Sequence, residues 1–185
     1  NSLSFERPLA RLVAGCGDRA MRVWDLNTGT RLHLLHGHTD DINAHQFDAN
    51  TLASAAADGV IRVWDMRSGV CRHVLQHSAM LHAFQFDGDR LVSGTWDGRM
   101  CLWDLRKGNC VKEWYTHNER VWAVVMDRYH VVSAGMDRSI CVRSFLPDEA
   151  QRPHVPGGSS GTAGREGGWL TESSGSSSSM SLEDA

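Results

Sequence analysis

The chain of 185 residues is 41% apolar and carries 19 Lys and Arg against 22 Asp and Glu, a formal charge of −3. Apolar content of that order builds a globular core rather than a wholly disordered chain, and the charge balance gives no basic field to draw in nucleic acid or an anionic membrane. No run reaches the roughly 20 apolar residues of a bilayer span, the start of the chain lacks the regions of a signal peptide, and five cysteines without a Cys-x-x-Cys pair indicate neither a disulfide framework nor a zinc site. Free thiols and an address in the cytoplasm or nucleus are therefore expected.

In chain order, the first clear strand runs from Leu9 to Gly15, and its place makes it the second strand of a unit whose first strand is expected to be missing. Asp18 and Trp24 follow, six residues apart. The same spacing returns at Asp58 and Trp64, at Asp97 and Trp103, and at Asp137, where Arg143 stands in place of tryptophan. Markers that recur every 39 or 40 residues signal a repeat architecture. In the second unit, alternation of apolar and polar residues predicts strands from Ile42 to Phe47, Thr51 to Ala56, Val60 to Asp65 and Val70 to Gln76. Ala57-Asp58-Gly59 and Trp96-Asp97-Gly98 are tight hairpin turns, and Asn27-Thr28-Gly29, Arg67-Ser68-Gly69 and Arg106-Lys107-Gly108 are turns after the third strands. Ile140 to Phe145 is a third strand with no convincing fourth after it. From Gln151 to Ser181 Gly and Ser dominate, so residues 149–185 are expected to be a disordered tail. Within that tail, Ser181-Leu182-Glu183-Asp184 is similar to an acidic-directed kinase site, and Trp169-Leu170 has the form of a short docking motif.

Four short strands per unit of about 40 residues match a propeller blade. The segments TLASAAADGVIRVWD (Thr51 to Asp65) and LVSGTWDGRMCLWD (Leu91 to Asp104) resemble the second and third strands of a WD40 repeat, and Gly37-His38 resembles that family's Gly-His mark. The resemblance covers about residues 9–146. It implies an all-β fold: a partial WD40 β-propeller over residues 1–148, of about three and a half to four blades of four antiparallel strands, with repeats at about 9–35, 36–75, 76–115 and 116–146. WD40 propellers generally close with about seven blades, so the chain resembles the C-terminal part of a longer protein whose last blade borrows its outer strand from the N-terminal side.

The family also implies a buried polar clamp in each blade: His38, Ser54, Asp58 and Trp64 in the second unit, and His77, Ser93, Asp97 and Trp103 in the third. In the fourth unit His117, Ser133 and Asp137 remain without the indole, and in the first Ala14 replaces the serine, so these flanking units are expected to be less well fastened. The chemistry supports such a set, because a buried indole N–H needs an acceptor, a hydroxyl can relay it to imidazole, and a turn aspartate can accept from imidazole and backbone. Ser, His and Asp also make hydrolytic triads. A triad, however, occurs once with an exposed serine, whereas this set recurs per unit beside a buried tryptophan.

The resemblance implies no cofactor or metal and a non-catalytic scaffold that binds other proteins. Partner contacts in the family sit on the narrow face, which corresponds here to Asn43, His82 and Trp122 at the starts of first strands, with Asp41 and Arg120 nearby, and to Gly17, Ala57, Trp96 and Met136 before the turn aspartates. Trp96 and Trp122 lead as anchors, being large and poor in rotamers; partial packing on their neighbours is the competing role. Short loops between first and second strands, such as Phe47-Asp48-Ala49-Asn50, resemble F-box/WD proteins, the substrate receptors of cullin-type ubiquitin ligases. This implies a ubiquitin-ligase assembly reached through upstream domains. Receptors that read phosphorylated segments place arginines at the slots just named, and this chain has none there. An enzyme reading rests only on His82 with Asp41 and Glu119. A scaffold in RNA processing or ribosome assembly is the alternative function, resting on Arg99, Arg106, Lys107 and Lys112, among which acids interleave.

Overall fold

The structure, a computed structural model, describes residues 2–145 and 178–181. Among these residues there are sixteen strands in four antiparallel four-stranded sheets and no helix. The first sheet holds β1 (Ser2–Glu6), β2 (Arg11–Gly15), β3 (Met21–Asp25) and β4 (Arg31–Leu35); the second holds β5 (Ile42–Phe47), β6 (Thr51–Ala56), β7 (Val60–Asp65) and β8 (Cys71–Gln76). The third holds β9 (Leu81–Asp87), β10 (Arg90–Thr95), β11 (Arg99–Asp104) and β12 (Asn109–Tyr115), and the fourth β13 (Val121–Met126), β14 (His130–Gly135), β15 (Ser139–Ser144) and β16 (Ser178–Ser181). Strands adjacent in sequence are adjacent in each sheet, joined by short hairpin connections everywhere except between β15 and β16.

Two edges differ from the reading of the sequence. A first strand does precede β2: β1 pairs with it from Ser2↔Gly15 to Glu6↔Arg11. The fourth sheet also has an outer strand, and it comes from within the Ser-rich tail, where Ser178–Ser181 pairs antiparallel with Ser139–Val142. The physical reason is shared, since an edge strand leaves a row of unpaired backbone groups that any extended segment can satisfy. The rest of the tail, with Trp169-Leu170 and most of the kinase-like stretch, lies outside the described residues.

The core is divided into three layers, each between consecutive sheets. Val13, Met21, Ile42 and Leu52 lie in the first layer. Ile61, Leu75, Leu81 and Leu91 lie in the second, and Val92, Met100, Val121 and Val131 in the third. Specific bonds cross each joint. His45 is bridged by Ser2 Oγ at 2.7 Å and Ser4 Oγ at 2.5 Å. Gln46 reaches across the next joint, donating to the Phe86 carbonyl at 3.0 Å and accepting from the Phe86 N–H at 2.8 Å, and Gln85 accepts from the Met126 N–H at 2.6 Å. Val125 holds the equivalent position of the fourth sheet and is exposed, as are Leu3 and Phe5 on the far side of the first.

The hairpins between second and third strands, β6–β7 and β10–β11, explain two glycines. Gly59 and Gly98 have φ of 75° and 83°, a region that costs a side chain about 1–2 kcal/mol; Arg19 and Arg138 accept that strain at the same turn of the first and fourth sheets, with φ of 66° and 64°. Gly98 is required twice over, because a Cβ there would lie 1.9 Å from the His117 carbonyl oxygen.

Candidate functional site

The second sheet carries a continuous polar chain. Trp64 Nε1–H donates to Ser54 Oγ at 2.8 Å, and that hydroxyl lies 2.8 Å from His38 Nε2. Asp58 Oδ2, 3.1 Å from His38 Nδ1, can only accept, which puts the imidazole proton on Nδ1 and leaves Nε2 to accept the Ser54 hydroxyl hydrogen. Asp58 also accepts from the N–H of Thr39 at 3.0 Å and of Val60 at 3.0 Å, so the loop before the sheet is tied to the turn inside it. Burial lowers the His38 pKa and Asp58 opposes it. Asp58 itself lies below the ordinary carboxylate range: its hydrogen bonds from Thr39 and His38 outweigh a burial that pushes the other way.

The third sheet keeps half of this. Trp103 Nε1–H donates to Ser93 Oγ at 3.0 Å, and Ser93 Oγ is 2.7 Å from His77 Nε2, but His77 Nδ1 is buried with no hydrogen-bond partner. Asp97 is engaged elsewhere, accepting from Thr95 Oγ1 at 2.5 Å and facing Arg99 Nε at 3.0 Å. Thr95 and Arg99 stand where the second unit has Ala56 and Val60, so two added donors compete for the carboxylate. Burial, without that carboxylate bonded to the ring, holds the His77 pKa down to about 4.

The fourth sheet reverses the expected ranking. His117 Nδ1 lies 3.1 Å from Asp137 Oδ1 and Nε2 lies 2.8 Å from Ser133 Oγ, while Asn118 N–H and Ser139 Oγ donate to Asp137 at 3.0 and 2.6 Å. Gly135, with no Cβ, makes room: a Cβ would meet His117 Nδ1 at 2.4 Å and Asp137 Oδ1 at 2.6 Å. Only the indole is absent, and Arg143 lies instead 5.4 Å from the Trp114 ring. In the first sheet Asp18 is paired with Arg22 at the surface.

Beside these clamps, the residues that differ between units gather at the hairpin end of the sheets. Asn43, His82 and Trp122 are each skipped in the pairing of a first strand with a second: Ile42↔Ala56 is followed by Ala44↔Ala55, Leu81↔Thr95 by Ala83↔Gly94, and Val121↔Gly135 by Ala123↔Ala134. Each is therefore the extra residue of a bulge, a device that re-aims a side chain. The residue before each turn aspartate donates its N–H back to the preceding loop, Ala57 to Asp41 at 2.9 Å, Trp96 to Met80 at 2.9 Å and Met136 to Arg120 at 2.8 Å. The two rows of candidate residues are thus held side by side by backbone.

Four of them form one cluster across the third and fourth sheets. Arg120 Cζ lies 3.4 Å over the centre of the Trp96 ring and 5.4 Å from that of Trp122, and His82 meets Trp122 edge-on with centroids 4.5 Å apart. Trp96 and Trp122 remain 40% and 47% exposed, so stacking on neighbours does not remove them from solvent. Burial lowers the His82 pKa, and Arg120 adds to the effect. Met136, and Met80, which sequence reasoning missed, are exposed. No hydrogen bond or ring contact joins Asn43 to this cluster. The signal that would have found Met80 is its place sixteen residues before Trp96, matching Asp41 before Ala57 and Arg120 before Met136.

Elsewhere, Arg99 is paired with Asp97 and Glu113 and Arg106 with Asp89. The described residues contain no group of three His, Cys, Asp or Glu suited to a metal, and all five cysteines are free, Cys101 pushed up to about 12 by burial.

Comparison with known proteins gives concordant matches. The model of the WD domain, G-beta repeat, family matches at residues 29–65, 69–104 and 108–144. Mitochondrial division protein 1 of Chaetomium globosum is 40% identical over 52 residues, and that of Pyricularia oryzae 36% identical over 55. The match covers 28% and 30% of this chain, and the chain spans 8% of the length of each of these relatives. Among solved structures, the computationally designed Ika4 and Ika8 proteins each superpose with a TM-score of 0.72 at 31% identity over 77% of this chain, covering 88% and 44% of theirs.

Proposed function

The chain belongs to the WD40 repeat family, whose repeats make protein-interaction scaffolds, and we propose that its hairpin end, centred on Trp96, Arg120 and Trp122, is the surface on which it holds a partner protein. The observation that carries this reading is the exposed cluster itself: two tryptophans, each fixed by a backbone bond or a bulge, stand around one arginine on adjacent sheets. Trp and Arg dominate binding energy at protein interfaces because they offer large area at low entropic cost. A rigid frame that already fixes them loses little freedom on binding. The finer form of the reading is a substrate receptor of the F-box/WD type, acting in a ubiquitin-ligase assembly in the cytoplasm or nucleus through domains upstream of these repeats. The short connections between first and second strands, Asp48 to Asn50 and Gly88-Asp89, support it.

The relatives match over a small part of their length, so what supports the reading is the repeat they share and not the division of mitochondria that their name states. A nucleic-acid scaffold is less well supported, because the arginines that would face phosphate, Arg99 and Arg106, already carry acidic partners.

The test is capture of partners from cells by the wild-type protein and by the Trp96→Ala, Trp122→Ala double variant, with quantitative mass spectrometry. Specific partners, cullin-type ligase subunits among them, should be recovered by the wild type. The substrate-class partners should fall away with the double variant while the ligase subunits remain. Equal recovery of every partner would place the binding surface elsewhere.

A further inference from the structure

We infer that the Trp96, Arg120 and Trp122 cluster is a seat for a carboxylate, and that the partner segment it takes is acidic, an Asp or Glu side chain flanked by apolar residues. This deepens the proposed interaction surface and rests on it. Arg120 is the decisive group. Among the described residues its guanidinium has no carboxylate partner and no hydrogen bond, while its Nε is buried and unsatisfied. Arg99, Arg106, Arg22 and Arg72 each have an acid. The two indole faces attract the cation but supply no acceptor for its N–H groups.

With Cζ 3.4 Å from the centre of the Trp96 ring and Nε buried, Arg120 keeps its terminal N–H groups as the unused recognition donors. Edge donors in a fixed fork match the two oxygens of a carboxylate, and the pair is strengthened by charge. The surroundings select a singly charged group over a doubly charged phosphate. Arg120 is the only cation of the cluster, burial and Arg120 keep His82 toward its neutral form, and Glu119 and Asp97 lie on the adjoining loop and turn. Exposed Met80 and Met136 beside the cluster offer adaptable apolar contact for residues flanking the acid.

The test uses the full chain, 15N-labelled, with the indole N–H signals of its tryptophans as reporters. The probes are three peptides differing at one position, acetyl-Gly-Leu-Xaa-Leu-Gly-amide with Xaa as Glu, Gln or phosphoserine, and a fourth, a scrambled Glu peptide with glycines beside the acid; a short single-stranded RNA is the fifth probe. The Glu peptide should shift the Trp96 and Trp122 signals and bind at least about tenfold more tightly than the Gln peptide. Arg120→Gln should abolish the difference, and Arg120→Lys should keep part of it. Unmoved Trp64 and Trp103 signals certify that each variant is folded. Equal binding of Glu and Gln peptides, tighter binding of phosphoserine, or preferential binding of RNA overturns the inference. If partners in cells are lost with the double tryptophan variant but kept with Arg120→Gln, the surface stands and the carboxylate seat fails. If neither variant loses partners, both fail.

Discussion

The second and third sheets share the same strand lengths to within a residue and the same clamp residues, yet one clamp is closed and the other open. The difference lies in two side chains that are not part of the clamp. Where the second unit has Ala56 and Val60, with nothing to offer a carboxylate, the third has Thr95 and Arg99, and the aspartate follows the nearer donors. A motif therefore specifies a network only together with its competitors. Leaving a buried polar atom such as His77 Nδ1 without a partner costs about 1–3 kcal/mol, a local cost that the third sheet carries and the second does not.

Four experiments break or sharpen this comparison. The largest effect is expected for Ser54→Ala, which strands both the Trp64 N–H and His38 Nε2 in a buried site; a loss of about 3 kcal/mol in urea unfolding is expected. A loss below about 1 kcal/mol would mean that the network adds little to packing. Next, Asp58→Ala should cost about 2 kcal/mol, and Asp97→Ala less than half of that, because only the former breaks a bond to a buried imidazole. Equal losses would erase the distinction between the two sheets.

The third experiment is pH dependence. His77 has a folded pKa of about 4, below the ordinary 6.5, so the unfolded chain takes up the proton first. Its contribution to stability is present above about pH 6.5 and is lost as pH falls toward 4. His38 is also lowered, but Asp58 opposes its burial, so His77 should titrate below His38 when both rings are followed by NMR. The reverse order would show His77 bonded to an acceptor. Replacing His77 by Gln should flatten the fall in stability between pH 6.5 and 4. The smallest gain is expected from Thr95→Ala combined with Arg99→Val, which frees Asp97 to reach His77 and should add about 1 kcal/mol. If the double variant is less stable than the wild type, the two residues contribute more through Glu113 and the Tyr115 ring than they cost the clamp.

The repeat, its period and the strands of the second unit were legible because they rest on local signals, alternation and turn residues, that tertiary structure does not overrule there. Thr51 to Ala56 and Val60 to Asp65 are observed at those bounds. β1 and β16 were missed because neither carries a marker; Ser2–Glu6 and Ser178–Ser181 are strands through the edge they complete. The membership of the clamps was legible, but not their order of completeness. The indole of the fourth unit is the most visible absence in the sequence, but it removes one donor, whereas Thr95 and Arg99 redirect a charge. Trp96, Trp122 and Arg120 were legible as residue types at particular slots. Their assembly across two sheets was not, since it depends on a bulge and on the angle at which the sheets meet.

That Trp96 stands on the third sheet and Arg120 with Trp122 on the fourth has a thermodynamic corollary. The two sheets share a core layer of their own, separate from those between the other sheets. In stacked arrays each unit leans chiefly on its neighbours, so anything that grips all three residues spans one seam of the array. Occupancy there would act as a staple: its binding free energy would reappear as resistance of that single seam to opening, and the seam's tightness would in turn set how well the occupant is held.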